Sequence, residues 1–199
     1  MVLGALPDRR LKTRSTRRQE VLEAAWRVAR ERGIAAITLR EVASGVGMRA
    51  PSLYEYFESK EAIYDAMFAE GYEAFLKIMP GPDDPSEPRP RAIAWIRRFF
   101  AFCRADVARY QLLFQPAIPG FHPSEDSMQL AGRALTTLDR EMRAIGLTRP
   151  AAADLWTALV TGMVNQQIAN DPGGDRWERL ADEAAAMFID HMERMEELV

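Results

Sequence analysis

A single cysteine among 199 residues, Cys103, excludes an intrachain disulfide and suits a reducing compartment. The two histidines, His122 and His191, stand far apart and form no cluster at metal-ligand spacing. No glycine-rich phosphate loop and no serine-nucleophile motif occurs. The chain therefore reads as a non-enzyme, with no catalytic residue, metal or cofactor expected. Apolar stretches are interrupted by Arg, Glu or Asp well before the roughly 20 residues a membrane span needs. The opening MVLGALPDRRLKTRSTRR has no long apolar run after its charges, so no secretory leader is expected and the predicted location is cytoplasmic. Runs of alternating β-branched residues are missing too, which leaves no strand signal.

What is present suffices for a sizeable core, since 48% of residues are hydrophobic against 28% charged. The formal net charge of −3 conceals a split. Residues 1–60 hold 12 Lys or Arg against 7 Asp or Glu, and the remainder holds 14 against 22. A basic front on an acidic body points to a polyanion as the partner of the front.

Helical periodicity runs through nearly the whole chain. Residues 1–15 read as a basic flexible arm. Thr16-Arg17-Arg18-Gln19 resembles a capping box that opens a helix to about residue 32, closed by Gly33. Thr38-Leu39-Arg40-Glu41 is a second capping box, followed by a short helix and the turn Gly45-Val46-Gly47. Another short helix is expected over 50–57, and Ser59 caps the next, which ends at Pro80. The proline-rich GPDDPSEPRP (81–90) is a linker, and QPAIPGFHPS (115–124) a second loop. Further helices are predicted over about 90–104, 106–114, 124–145, 149–169 and 175–199. The total is nine helices and an all-α fold.

Two short helices joined by a glycine turn and braced by a third make the shape of a helix-turn-helix. In GMRAPSLYEYFESK (47–60), Leu53 and Phe57 are four apart and face a small core with Leu39, Val42, Ala43 and Val46. Tyr54 and Tyr56 then lie to either side with their hydroxyls outward. A tyrosine hydroxyl donates to phosphate, Ser52 adds a second hydroxyl, and Lys60 brings a charge to the next helix's N-terminal N–H groups.

These residues carry a resemblance. Residues 16–60, through TRRQEVLEAAWRVARERGIAAITLREVASGVG and MRAPSLYEYFESKEAIYDAMF, closely resemble the N-terminal domain of the tetracycline-repressor (TetR) family of bacterial transcription regulators. The resemblance implies a three-helix DNA-binding domain over 16–60 and a helical effector-binding and dimerisation domain over 61–199. It places Ser52, Tyr54, Tyr56 and Lys60 on the DNA backbone and Arg40, Ala50 and Pro51 near base edges. Arg40 is the candidate for a bidentate guanine contact. Arg49 departs from the family pattern, standing where many relatives carry a Ser or Thr helix cap, and is assigned to phosphate or base. Arg17 and Arg18 are expected to add salt-dependent affinity.

For the body the resemblance implies a homodimer on a palindromic operator and a small-molecule effector of unknown identity. The dimer stripe is expected from Leu155, Leu159, Met163, Leu180, Ala184, Met187, Phe188 and His191, at helical spacing on the last two helices. Candidate effector contacts are Trp95, Phe99, Phe102, Cys103, Phe114, Phe121, Met128, Trp156 and Met163, with Gln166 as a polar member. The function so implied is a repressor released by a largely apolar effector. The alternatives are an activating or ligand-independent regulator of the same fold, and a nonspecific architectural DNA-binding protein.

Overall fold

A computed structural model describes residues 6–197, with side chains from residue 12 onward. Among the described residues there are eight α-helices, three 3₁₀ segments and no strand. The all-α expectation holds, and the predicted nine helices are matched if the 3₁₀ segment of the helix-turn-helix is counted.

Helix α1 spans Leu6–Arg32. It begins ten residues before the predicted start, which corrects the reading of residues 6–15 as an arm. The expected arm at 1–5 lies outside the described residues. Pro7 falls in the first turn, where its missing N–H costs nothing, and Arg, Lys and Leu propagate a helix well. Thr16 is no cap here, since its hydroxyl donates to the Lys12 carbonyl at 2.9 Å.

Helix α2 (Leu39–Gly45) starts as expected, with the Thr38 hydroxyl accepting from the Glu41 N–H. Gly47 then turns the chain at φ 68°, a left-handed value that glycine adopts without strain. The second short helix is a 3₁₀ segment, Ala50–Glu55, not an α-helix over 50–57. Pro51 supplies no N–H and Arg49 makes no side-chain cap, so this stretch has little to nucleate a full α-turn. Its core side is as predicted, with Leu53 and Phe57 buried. Helix α3 (Lys60–Ile78) follows, with Ser59 accepting from the Ala62 N–H at 3.1 Å.

The body consists of α4 (Pro88–Ala105), α5 (Val107–Phe114), α6 (Glu125–Ala144), α7 (Ala151–Asn170) and α8 (Ala181–Glu196). Helix α4 starts two residues before the predicted Pro90. Helix α8 is preceded by a separate 3₁₀ turn, Glu178–Leu180, so it starts later than predicted. Gln167, fully buried, holds that junction, accepting from the Trp177 N–H at 2.9 Å and donating to the Asp171 carbonyl. It serves the fold and not a ligand.

Front and body share one core. Trp26 Nε1 of α1 donates to Glu70 of α3 at 2.7 Å. The Tyr64 hydroxyl of α3 donates to the Ile34 carbonyl at 3.0 Å. Arg30 of α1 donates to the buried Asp106 at 2.9 and 2.7 Å, while Asp106 also caps α5 by accepting from the Arg109 N–H at 3.1 Å. Asp65 of α3 accepts from the Ser124 N–H (2.7 Å) and hydroxyl (2.9 Å), fixing the start of α6.

Asp106→Ala removes a helix cap and the partner of Arg30 together. It is expected to cost about 1–3 kcal/mol, read as a lower urea midpoint. An unchanged midpoint would mean that the junction carries no stability.

Candidate nucleic-acid interface and interior cavity

The front is crowded with cations, and most of them are engaged. Arg14 donates to the Glu55 carbonyl (3.1 Å), Arg17 pairs with Glu20 (2.7 Å) and Arg27 donates to the Gly45 carbonyl (3.1 Å). Arg32 pairs with Glu41, and Arg30 with Asp106. Arg18 lies over the Phe57 ring at 3.9 Å and donates to the Tyr56 carbonyl at 2.8 Å. Arg14 and Arg18 therefore clamp α1 to the 3₁₀ segment. That is a structural use of Arg18, which the sequence assigned to DNA.

Among the described residues 12–60, only Arg40 and Arg49 are cations without a partner. Both are exposed. The intrahelix ion pair that would have explained Arg40 is not formed. Tyr54 is 57% exposed, Tyr56 and Ser52 are half-buried, and none of their hydroxyls makes a hydrogen bond within the described residues. Ala50 is half-buried and Pro51 exposed. Lys60 lies 5.3 Å above the Tyr64 ring, at the start of α3. Residues 40–60 thus present two free guanidinium groups, three free hydroxyls and an ammonium beside a helix N-terminus. Such a set suits phosphate and base edges.

A cavity of ≈ 160 Å³ lies in the body. Helix α3 gives it Tyr72 and Phe75, with Met79 just past its end, and α4 gives Trp95 and Phe99. Phe114 closes it from α5, with Phe75, Phe99 and Phe114 packed edge-on at 5.2–5.8 Å between ring centres. Helix α6 contributes Ala131, Ala134, Leu135 and Leu138, and α7 contributes Trp156, Thr157, Val160 and Thr161. Leu135 is 59% exposed, a large apolar side chain at the cavity rim. A second hollow, beside the 115–123 loop, shares Tyr72, Phe114 and Ala131 with the cavity and is lined by Phe121 and Met128.

Of the candidate effector contacts, Trp95, Phe99, Phe114 and Trp156 line the cavity, and Phe121 and Met128 line the adjoining hollow. Phe102, Cys103, Met163 and Gln166 are corrected. Phe102 packs against Phe75 at 5.4 Å and under Arg109 at 3.9 Å. Cys103 is fully buried, and burial pushes its thiol well above the usual range, which leaves it an unreactive small apolar residue. Met163 is buried within the chain, and Gln166 is exposed, where it accepts from Asn170 at 2.8 Å. The contributions of α3 and α6 were missed. Their spacing, 72/75/79 and 131/134/135/138, follows one helical face and was the available signal.

Residues 21–67 match the model for bacterial regulatory proteins of the tetR family. The transcriptional repressor KstR2 of Mycobacterium tuberculosis is 43% identical over 53 residues, 27% of this chain and 26% of that one. The likeness to the TetR family is thus sharp over the front of this chain. The transcriptional activator FasR of Mycolicibacterium smegmatis is 30% identical over 103 residues, 51% of this chain and 47% of FasR. The chain thus matches between about a quarter and a half of the length of these curated relatives. AibR, solved in complex with isovaleryl coenzyme A and operator DNA, shares the fold with a TM-score of 0.62 at 20% identity, over 86% of this chain and 97% of AibR.

The predicted dimer stripe of this chain divides in two. Leu155, Leu180, Met187 and His191 are exposed and Leu159 half-buried, whereas Met163, Ala184 and Phe188 face the chain's own core. Phe188 packs on Trp156 at 4.9 Å. The inward three are a correction, because two parallel apolar stripes run along α7 and α8 and periodicity does not say which is outermost. No helix among the described residues is long and apolar enough to cross a membrane.

Arg18→Ala loses both the stacking on Phe57 and the bond to the Tyr56 carbonyl. The expected cost is about 1–2 kcal/mol, seen as a lower thermal midpoint. A midpoint equal to that of the native chain would return Arg18 to the set of free cations.

Proposed function

We propose that this chain is a sequence-specific transcription regulator, a repressor released from its operator by a small, largely apolar effector. The observation that carries the reading is the contrast in the front. The α1 arginines from Arg14 to Arg32 are tied to carboxylates and carbonyls, while Arg40 and Arg49 and the hydroxyls of Ser52, Tyr54 and Tyr56 are left free on one short stretch. Residues 16–60 are the DNA-binding unit, and 61–199 bind effector and partner subunit. Tyr54, Tyr56, Ser52 and Lys60 hold phosphates, Arg40 reads a guanine, and Arg49 takes a phosphate or base edge. Ala50 and Pro51 touch thymine methyls. The complex of AibR with an acyl-coenzyme A and operator DNA supports both partners. The work is binding, not catalysis, and takes place in the cytoplasm.

A homodimer supplies two recognition segments, and its symmetry requires a palindromic operator. Leu155, Leu159, Leu180 and Met187 form its apolar seam. An effector lowers DNA affinity only if it favours the conformation whose recognition segments no longer fit both half-sites; such coupling amounts to about 1–3 kcal/mol. FasR is an activator and matches over the longer stretch, which keeps an activating regulator as the second reading.

Tyr54→Phe and Lys60→Ala are expected to weaken binding to every sequence by about three- to tenfold each, with folding intact. Arg40→Ala is expected to relax preference at one position per half-site by about 1–3 kcal/mol. Fluorescence anisotropy with competitor DNA reads both. Unchanged affinity in the first two removes the phosphate clamp, and a uniform loss in the third makes Arg40 a phosphate contact. Met187→Glu is expected to shift the native mass seen by light scattering from dimer to monomer. A dimer that survives places the seam elsewhere.

A further inference from the structure

The hydrogen-bonding groups around the cavity are unevenly spent. Tyr72 donates to the Leu113 carbonyl at 3.4 Å. Thr157 donates to the Ala153 carbonyl at 2.8 Å, and Thr161 to the Thr157 carbonyl at 2.5 Å. Each hydroxyl's proton is thus committed to backbone, and the wall offers a ligand no hydroxyl donor. Behind the cavity lies a hollow of ≈ 20 Å³ whose lining shares Trp95, Leu138 and Trp156 with it. Arg91 and Glu141 complete its polar side. Two residues of its lining each carry a buried N–H donor without an acceptor: Trp156, 2% exposed, at Nε1, and Arg91 at Nε. A buried donor without a partner costs more than its bond would contribute, so something is expected to satisfy this pair. The hollow has room for one or two heavy atoms, as about 10–15 Å³ suffices for a water.

We propose that this hollow seats a carbonyl oxygen of the effector, whose ring-sized apolar body fills the main cavity. This deepens the effector reading above and rests on it. The size follows from the volume, since a dry apolar cavity of about 150 Å³ takes benzene. The neutrality follows from charge. The Arg91 guanidinium is already paired with Glu141, and Arg140 bonds the same carboxylate at 3.3 Å. A ligand carboxylate would sit beside Glu141 and be repelled. A ligand ammonium would sit beside the Arg91 guanidinium and has no lone pair to offer either unpaired donor. An uncharged acceptor answers both unpaired groups and adds no buried charge.

Acetophenone and ethylbenzene test this, because they differ by a carbonyl in place of a methylene. Calorimetry on the full chain is expected to give acetophenone about a tenfold advantage, the worth of one good hydrogen bond. In Trp156→Phe the advantage falls below about threefold, and in Thr161→Val, which alters the wall but no free donor, it persists. Independently of any variant's folding, the Trp156 indole N–H proton resonance moves downfield with acetophenone and not with ethylbenzene. Equal affinity of the native chain for both probes, or an advantage that survives Trp156→Phe, overturns the carbonyl seat alone. Binding of neither probe overturns the effector cavity with it.

Discussion

One helix makes the two halves of this protein a single mechanical object. Helix α3 runs unbroken from Lys60 to Ile78, about 28 Å at 1.5 Å per residue. Its first turn follows the capping Ser59 and carries Lys60, the last residue of the stretch proposed to meet DNA. Its last turns carry Tyr72 and Phe75, and the Met79 that follows them, into the cavity wall. No glycine-proline hinge interrupts it, and the one glycine inside it, Gly71, is packed so tightly that a Cβ there would meet Leu113 at 2.9 Å. A ligand that displaces Phe75 or Met79 therefore pushes on a rod whose other end borders the 3₁₀ segment.

That rod is held to the front by few but well-made contacts. Tyr64 bonds the Ile34 carbonyl, Trp26 bonds Glu70, and Asp65 fixes Ser124, so the 115–124 loop and the start of α6 move with α3. Phe121 reaches from that loop to the Tyr64 ring at 5.6 Å. Arg30 and Asp106 make a further crossing, from α1 to the joint of α4 and α5. These links lie on the sides of α1 and α3 facing the body. The outer side keeps Arg40, Arg49 and Tyr54 exposed, so the front's cations divide in two: paired ones hold the front together, and Arg40 and Arg49 stay unpaired at its surface.

The sequence made the front legible because its signals are local. Thr38 and Ser59 cap where a hydroxyl three residues before an N–H must cap, Gly47 turns where a left-handed residue is needed, and Leu53 and Phe57 are buried at i, i+4. The start of α1 was missed because Thr16 carries the side chain of a cap while a good helical sequence precedes it; the hydroxyl bonds back to Lys12 instead. The body was read by composition, which finds aromatic residues but not their direction. Trp95, Phe99, Phe114 and Trp156 surround the cavity, yet Phe102, one turn from Phe99, and Cys103 turn away into the α3–α5 packing. The division of α7 and α8 into an inward and an outward stripe also depends on long-range packing, of which Gln167 and the 171–178 turn give no local warning.

Selection of bound duplexes from a random-sequence DNA library by the full chain, at about physiological salt, tests the central claim most directly. The account predicts convergence on a two-fold symmetric site whose half-sites lie about 34–36 Å apart or a multiple of that, with a guanine that becomes dispensable in Arg40→Ala. A pool that never converges, with affinity that falls steeply with salt and ignores sequence, would contradict it and leave a nonspecific DNA-binding protein.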